Sequence, residues 1–219
     1  MWAELSLPWQ ATLEMAWEAY CGDCLPIGAV VTDGEGQIIS RGRNRIYQNR
    51  PADWSKRGAE LDHAEIEALR NLAFDSIEPH HCTLYTTTEP CPMCMGTFYM
   101  SGLRTLQYAS REPWAGSVNL LGTTWYLSRK PIRVSGPPNP LLELLVMALF
   151  VEKDYALRED HILSGVFYER WLQVVPGCLE AGRTLYQKGI VTELRKRTAP
   201  CADMVEVVSE AIVPYAFVQ

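Results

Sequence analysis

Apolar positions in this 219-residue chain change period several times, and the changes mark its elements. Leu13, Ala16, Trp17 and Tyr20 fall at helical spacing, which predicts an amphipathic helix over Trp9–Tyr20. Cys21-Gly22-Asp23-Cys24 breaks it. Ile27–Thr32 is short, apolar and β-branched. Asp33-Gly34-Glu35-Gly36 then turns the chain, and Gln37–Gly42 returns, so the pair reads as a β-hairpin. His63–Ala73 predicts a helix with Asp62 as N-cap. Thr83–Thr87 predicts a strand, Cys91–Ser101 a helix with Pro92 in its first turn, and Arg104–Tyr108 another strand. Glu112–Thr124 reads as a loop with one short helix, and Pro131–Val134 as a further strand. Pro137-Pro138-Asn139-Pro140 stops that strand and starts an apolar helix over Leu141–Asp154. Strands followed by helices predict an α/β fold with parallel pairing.

Past Tyr155 the texture changes. Glu159–Val174, Gly177–Lys188 and Cys201–Ala211 all carry helical spacing, with Pro176 and Pro200 as breaks. Residues 156–219 therefore read as a helical extension packed on a first unit, residues 1–155. No internal repeat or low-complexity tract interrupts either part.

Composition adds little to this outline. Hydrophobic residues at 47% and charged residues at 21% are ordinary for a soluble globular chain. The net charge of -6 argues against a dedicated nucleic-acid binder. Locally, residues 41–57 are basic, with Arg41, Arg43, Arg45, Arg50, Lys56 and Arg57 interleaved with Tyr47 and Trp54. That stretch reads either as a solvated loop or as a rim for an anionic substrate. The start of the chain does not have the pattern of a signal peptide. Its longest apolar run, Leu141–Val151, is too short to span a bilayer. Seven cysteines in such a chain point to a reducing cytoplasm, where cysteine clusters signal metal or catalysis.

The candidate chemistry lies between His63 and Cys94. Cys91 and Cys94, three apart at a helix start, place both sulfurs on one face. Helix N-terminal N–H groups favour the thiolate that a metal requires. With His63 they make a three-ligand set suited to zinc, leaving a fourth position for water. The alternative is a closed structural site with Cys82 or His81 as fourth ligand. Glu65, two residues after His63, is placed to move protons beside the metal without binding it. Its alternative is an acid favoured by the helix dipole. Bound zinc lowers the pKa of water from about 15.7 to about 7.

His-x-Glu followed by Pro-Cys-x-x-Cys is the signature of zinc-dependent nucleobase deaminases. The chain resembles the cytidine and deoxycytidylate deaminase superfamily, nearest its tRNA adenosine deaminase and guanine deaminase branch. The resemblance is carried by Pro26-Ile27-Gly28-Ala29-Val30-Val31, Gly42-Arg43-Asn44-Arg45, His63-Ala64-Glu65-Ile66, Leu84-Tyr85-Thr86, Glu89-Pro90-Cys91-Pro92-Met93-Cys94 and Ala115-Gly116-Ser117. It implies a three-layer α/β/α fold around a mixed five-stranded sheet, with zinc on His63, Cys91 and Cys94 and Glu65 as proton shuttle. It also implies contacts to the base from Asn44 and from the backbone of Ala64 and Cys91. Asn44 also suits a turn at a strand end. Trp114 is a candidate for stacking on a flat substrate, or a plain aromatic. Cys21 and Cys24 read as reduced thiols flanking a turn. His80, His81 and His161 receive no role.

The reaction so implied is hydrolytic removal of an exocyclic amino group. The expected substrate is a free nucleobase, nucleoside or nucleotide, with a purine such as guanine favoured. A tRNA or other nucleic-acid editor is the alternative, disfavoured by charge, and a zinc-stabilised interaction module is the non-enzymatic one. Members of this superfamily commonly form homodimers or larger assemblies, and the same is expected here.

Overall fold

The computed structural model describes residues 1–48, 61–157 and 166–216, with the backbone alone for 166–168. Five strands form one sheet in the order β2-β1-β3-β4-β5. They are β1 (Gly28–Thr32), β2 (Ile38–Arg43), β3 (Thr83–Thr88), β4 (Thr105–Ser110) and β5 (Arg133–Ser135). β1 runs antiparallel to both β2 and β3, while β3, β4 and β5 are parallel. The hairpin and the mixed sheet both stand as expected. The last strand is shorter than its sequence pattern and begins at Arg133, after Ile132 N–H has turned back onto Lys130 O.

Alternating side chains divide the two faces. Ala29, Val31, Leu84 and Leu106 join Ala64, Ala68 and Leu69 of α2 (Ala64–Arg70) and Met95 and Phe98 of α3 (Pro92–Ser101) in one apolar cluster. Tyr85 and Ala109 face a second cluster, built from α1 (Leu7–Cys21) and α4 (Pro140–Leu157). The chain is thus layered as α/β/α. α2 is shorter than the periodicity of His63–Ala73 predicts. His63, in extended backbone at φ -80 and ψ 151, is its N-cap in place of Asp62. The Asp62 carbonyl instead accepts from Arg45 N–H at 2.9 Å.

Gly42 sets how closely α2 can lie on the sheet. A Cβ there would sit 2.2 Å from Ala64 O and 2.4 Å from Ala68 N, inside the backbone of α2. Gly42→Ala is therefore expected to lower the urea midpoint at unchanged m-value, by a destabilisation of about 3 kcal/mol or more. It should also depress any activity that depends on α2.

The C-terminal part is helical, with α5 (Val166–Val174), α6 (Cys178–Gln187), α7 (Ile190–Lys196) and α8 (Cys201–Ile212). The sequence pattern missed α7, whose seven residues follow a Gly189 at φ 63. The expected start of α5 at Glu159 lies outside the described residues. Leu179 and Leu185 of α6 and Val205 and Val208 of α8 bury against Leu145 and Leu149 of α4 and Leu13 and Trp17 of α1. Polar ties cross the same boundary. Trp17 Nε1 donates to Ala199 O at 2.8 Å, and Arg195 Nη2 to Asp23 Oδ2 at 2.7 Å. No helix among the described residues is long and apolar enough to cross a membrane.

The described part of the basic stretch is not a free cationic rim. Arg41 lies 3.3 Å from Glu14, Arg43 2.9 Å from Glu18 and Arg45 2.7 Å from Glu67. Arg43 is itself buried. Helices α1 and α2 supply the carboxylates, so these arginines tie β2 and the turn after it to its neighbours. Arg50, Trp54, Lys56 and Arg57 lie outside the described residues.

Candidate metal centre and substrate cavity

Two helix starts meet at the carboxyl end of β3. After Thr88 the chain passes through Glu89 and Pro90 to Cys91, which caps α3 in extended backbone. Pro92 takes the first helical position, where no N–H is needed, and Cys94 follows one turn later. His63 caps α2 in the same manner, and Glu65 is that helix's second residue. Both caps leave their side chains outside the helical barrel, directed toward one another.

His63 Nδ1 lies 3.4 Å from Cys94 Sγ and 3.7 Å from Cys91 Sγ. The three ligand atoms all fall within 4.8 Å of one another. A tetrahedral zinc, with bonds of about 2.3 Å to sulfur and about 2.0–2.1 Å to nitrogen, requires an S···N edge of about 3.6 Å. The observed edges bracket that value, so the donor set fits zinc in both chemistry and size. Among the described residues this cluster has three members. His81 lies instead with Glu78 and His80 in a separate exposed group, and Cys82 packs in the α2–α3 core. Neither closes the set.

The two sulfurs differ sharply. The Cys94 thiol donates toward Cys91, and with His63 it pulls the Cys91 pKa down to about 4 against burial. The same hydrogen bond, with burial, pushes Cys94 up. Glu65 is 3% exposed. Thr86 Oγ1 donates to its Oε1 at 3.2 Å, and Cys94 Sγ lies 3.5 Å from its Oε2. Burial raises its pKa, which favours a carboxyl that can hold a proton.

His63, Glu65 and Cys91 line a cavity of about 380 Å³. It opens beyond the carboxyl ends of the parallel strands, where ligands bind in open α/β sheets. Leu25, Ile27 and Tyr47 supply apolar wall from before β1 and after β2. Trp114 and Ala115 come from the loop after β4. That loop is held by Glu89, whose Oε2 accepts from Glu112 N–H at 3.3 Å and whose Oε1 accepts from Val118 N–H at 3.2 Å. Gly116 permits the approach, since a Cβ there would sit 2.6 Å from Glu89 Oε2. This accounts for the Ala115-Gly116-Ser117 motif.

Of the four residues expected to touch substrate, Cys91 and Trp114 line the cavity, and Trp114 is 56% exposed. Asn44 and Ala64 are buried and are not among the lining residues. Asn44 holds the turn after β2 through its oxygen. Its Oδ1 accepts from Ile46 N–H at 3.2 Å, and its own N–H donates to Ile27 O at 2.9 Å. Its Nδ2 has no partner among the described residues. Sequence reading missed Phe150, Asp154 and Trp171, which also line the cavity. The available signal was Glu152-Lys153-Asp154, three charges inside an otherwise apolar helix.

Comparison with known proteins agrees with this geometry. Residues 6–110 match the model of the cytidine and deoxycytidylate deaminase zinc-binding region. A tRNA(Ile)-lysidine synthase from Deinococcus radiodurans is 36% identical over 107 residues, 46% of this chain and 17% of that protein. The chain thus spans under a fifth of that relative's length. A guanine deaminase from Bacillus subtilis is 34% identical over 90 residues, 40% of this chain and 51% of that protein. A tRNA-specific adenosine deaminase from Rickettsia bellii is 32% identical over 111 residues, 48% of this chain and 70% of that protein. With the matched segment enclosing His63, Glu65, Cys91 and Cys94, the chain belongs to the cytidine and deoxycytidylate deaminase family of zinc-dependent hydrolytic deaminases.

Proposed function

We propose that the chain removes an exocyclic amino group by hydrolysis from a free nucleobase, nucleoside or nucleotide, with a purine such as guanine favoured. His63, Cys91 and Cys94 would hold the zinc, with Glu65 as the proton carrier. The observation that carries the reading is the shared cavity: a buried carboxyl, Glu65, and two members of the zinc-type donor set, His63 and Cys91, line one small, mostly apolar space. Zinc bound there supplies an activated water near neutral pH. Glu65 takes one proton from the attacking water and delivers it to a ring nitrogen; it then takes the second proton from the oxygen now bonded to the ring carbon and passes it to the amine, which leaves as ammonia while the C=O bond forms. Thr86 holds Oε1 in place during these transfers. The apolar walls exclude bulk water and bind the ring faces.

A small substrate is favoured over RNA because Arg43 and Arg45 are committed to Glu18 and Glu67. Residues 1–155 form the deaminase unit in this reading, and 156–219 a helical extension that reaches the cavity through Trp171. Seven free thiols support a reducing, cytoplasmic setting. Exposed Met100, Trp125 and Tyr126 offer surface for a homo-oligomer.

The test is ammonia release by zinc-loaded protein from a panel of free bases, nucleosides, nucleotides and a tRNA transcript. Release from guanine or another small member of the panel is the expected outcome. Release from tRNA alone would move the assignment to nucleic-acid editing, and silence across the whole panel would remove it.

A further inference from the structure

Three side chains away from the substrate cavity converge on one point. Glu78 precedes a short 3-10 turn, Pro79–His81, that carries His80 and His81 and leads into β3. The ligand atoms of Glu78, His80 and His81 all fall within 4.8 Å of one another. This turn enters β3 at Thr83, whereas the His63–Cys91–Cys94 cluster lies past Thr88, at the other end of the strand. The six residues of β3 span about 20 Å. None of the three side chains lines the substrate cavity.

The local chain holds the three together. Pro79 fixes φ between Glu78 and the two histidines. Glu78 O accepts from His81 N–H at 2.9 Å and Pro79 O from Cys82 N–H at 3.1 Å, which closes the turn. Both imidazoles then approach the same carboxylate oxygen. Glu78 Oε2 lies 3.4 Å from His81 Nε2 and 3.7 Å from His80 Nε2, and the two rings lie 4.3 Å apart between centroids. These separations exceed the roughly 2.7–3.2 Å of a good N–H···O hydrogen bond. A tetrahedral zinc, with bonds of about 2.0–2.2 Å to nitrogen and oxygen, requires an N···O edge of about 3.4 Å. The spacing therefore suits a shared cation better than direct pairing. The hollow beside the cluster is anionic, because Asp33 and Glu35 of the β1–β2 turn line it together with Glu78 and His81. Gly34 lets that turn approach, since a Cβ there would sit 3.2 Å from His81 Cβ.

We propose that Glu78, His80 and His81 form a second metal site, which binds a divalent transition cation of the zinc class through two imidazoles and one carboxylate. Imidazole ligands select such cations over magnesium and calcium. All three side chains are exposed, so the bound cation keeps water in its remaining positions and exchanges with solvent. The site is separate from the deaminase centre and does not rest on its assignment.

The experiment is equilibrium dialysis of the full chain against rising zinc chloride, with bound zinc counted by elemental analysis. Saturation is expected at two zinc ions per chain, the second exchanging more freely than the first. His80→Ala, His81→Ala and Glu78→Gln should each weaken the second equivalent about tenfold or more. His161→Ala removes the other histidine outside the His63 cluster and should leave both equivalents in place. Cobalt chloride in place of zinc tells the two sites apart by absorption. Metal at the Cys91–Cys94 pair gives intense sulfur-to-metal bands, and metal at Glu78, His80 and His81 gives only weak d–d bands. Binding confined to metal with sulfur-to-metal absorption would overturn the proposal, as would a second equivalent that persists in both H80A and H81A. A single equivalent without that absorption, lost in H80A, would uphold this site and remove the His63–Cys91–Cys94 one.

Discussion

Glu65→Gln is expected to reduce ammonia release by about 10²–10⁴-fold while zinc content stays at wild type. The substitution keeps the side chain's shape and the Thr86 hydrogen bond to Oε1, and removes the ability to carry a proton. Because the carboxyl is buried and its pKa raised, the folded metal-free protein holds that proton more tightly than the unfolded chain. Its charge therefore opposes folding once pH rises above the unfolded carboxyl value. E65Q removes this penalty, so the metal-free variant should melt at or above the wild-type temperature near pH 7. Lost activity with preserved stability separates a chemical role from a structural one. An E65Q protein as active as wild type would assign Glu65 to the fold instead.

Stripping the metal is expected to abolish activity and to expose an unusually reactive thiol. Cys91 is half-buried, and its pKa is pulled down to about 4 by the Cys94 thiol and by His63. A lowered thiol pKa means the thiolate persists down to that pH. Alkylation of metal-free protein at Cys91 should therefore stay nearly constant from about pH 8 to about pH 5, whereas an ordinary thiol slows about tenfold per unit below its pKa. Cys94, pushed up and fully buried, should resist the reagent. Added zinc should protect Cys91 and restore ammonia release. It should also stabilise the fold, as any ligand of the folded state does, by about 4 kcal/mol at a thousandfold excess over its Kd, and so raise the melting temperature. Mass spectrometry of alkylated peptides reads the first two outcomes. Alkylation at Cys91 that zinc leaves unchanged would exclude that residue from the metal site.

The parts of the molecule that sequence made legible are those decided locally. The apolar, β-branched run Ile27–Thr32, the Asp33-Gly34-Glu35-Gly36 turn and the returning run Gln37–Gly42 specify a hairpin, and the Cys91-Pro92-Met93-Cys94 spacing places two sulfurs on one helix face. The zinc-type donor set was legible because each ligand sits at a helix start that its own neighbours specify. What escaped depends on partners distant in sequence. Whether Arg43 and Arg45 belonged to a solvated loop or an anion-binding rim stayed open because Glu18 and Glu67 approach them only through the packing of α1 and α2 on the sheet. Asp154 and Trp171 reach the cavity because α4 and α5 cross the open end of the sheet, and periodicity within a helix does not say what its face will meet. α7 was too short to show a period.

The central claim is that water, activated at the His63–Cys91–Cys94 centre and deprotonated by Glu65, replaces the amino group of a heterocyclic ring. The most direct measurement is turnover of a substrate from the ammonia panel in ¹⁸O-labelled water, with the product analysed by mass spectrometry. The expected product carries one labelled oxygen at the former amino carbon for each ammonia released, and labelled product falls with ammonia in E65Q. Unlabelled product, or labelled product formed equally well by E65Q, would contradict the account.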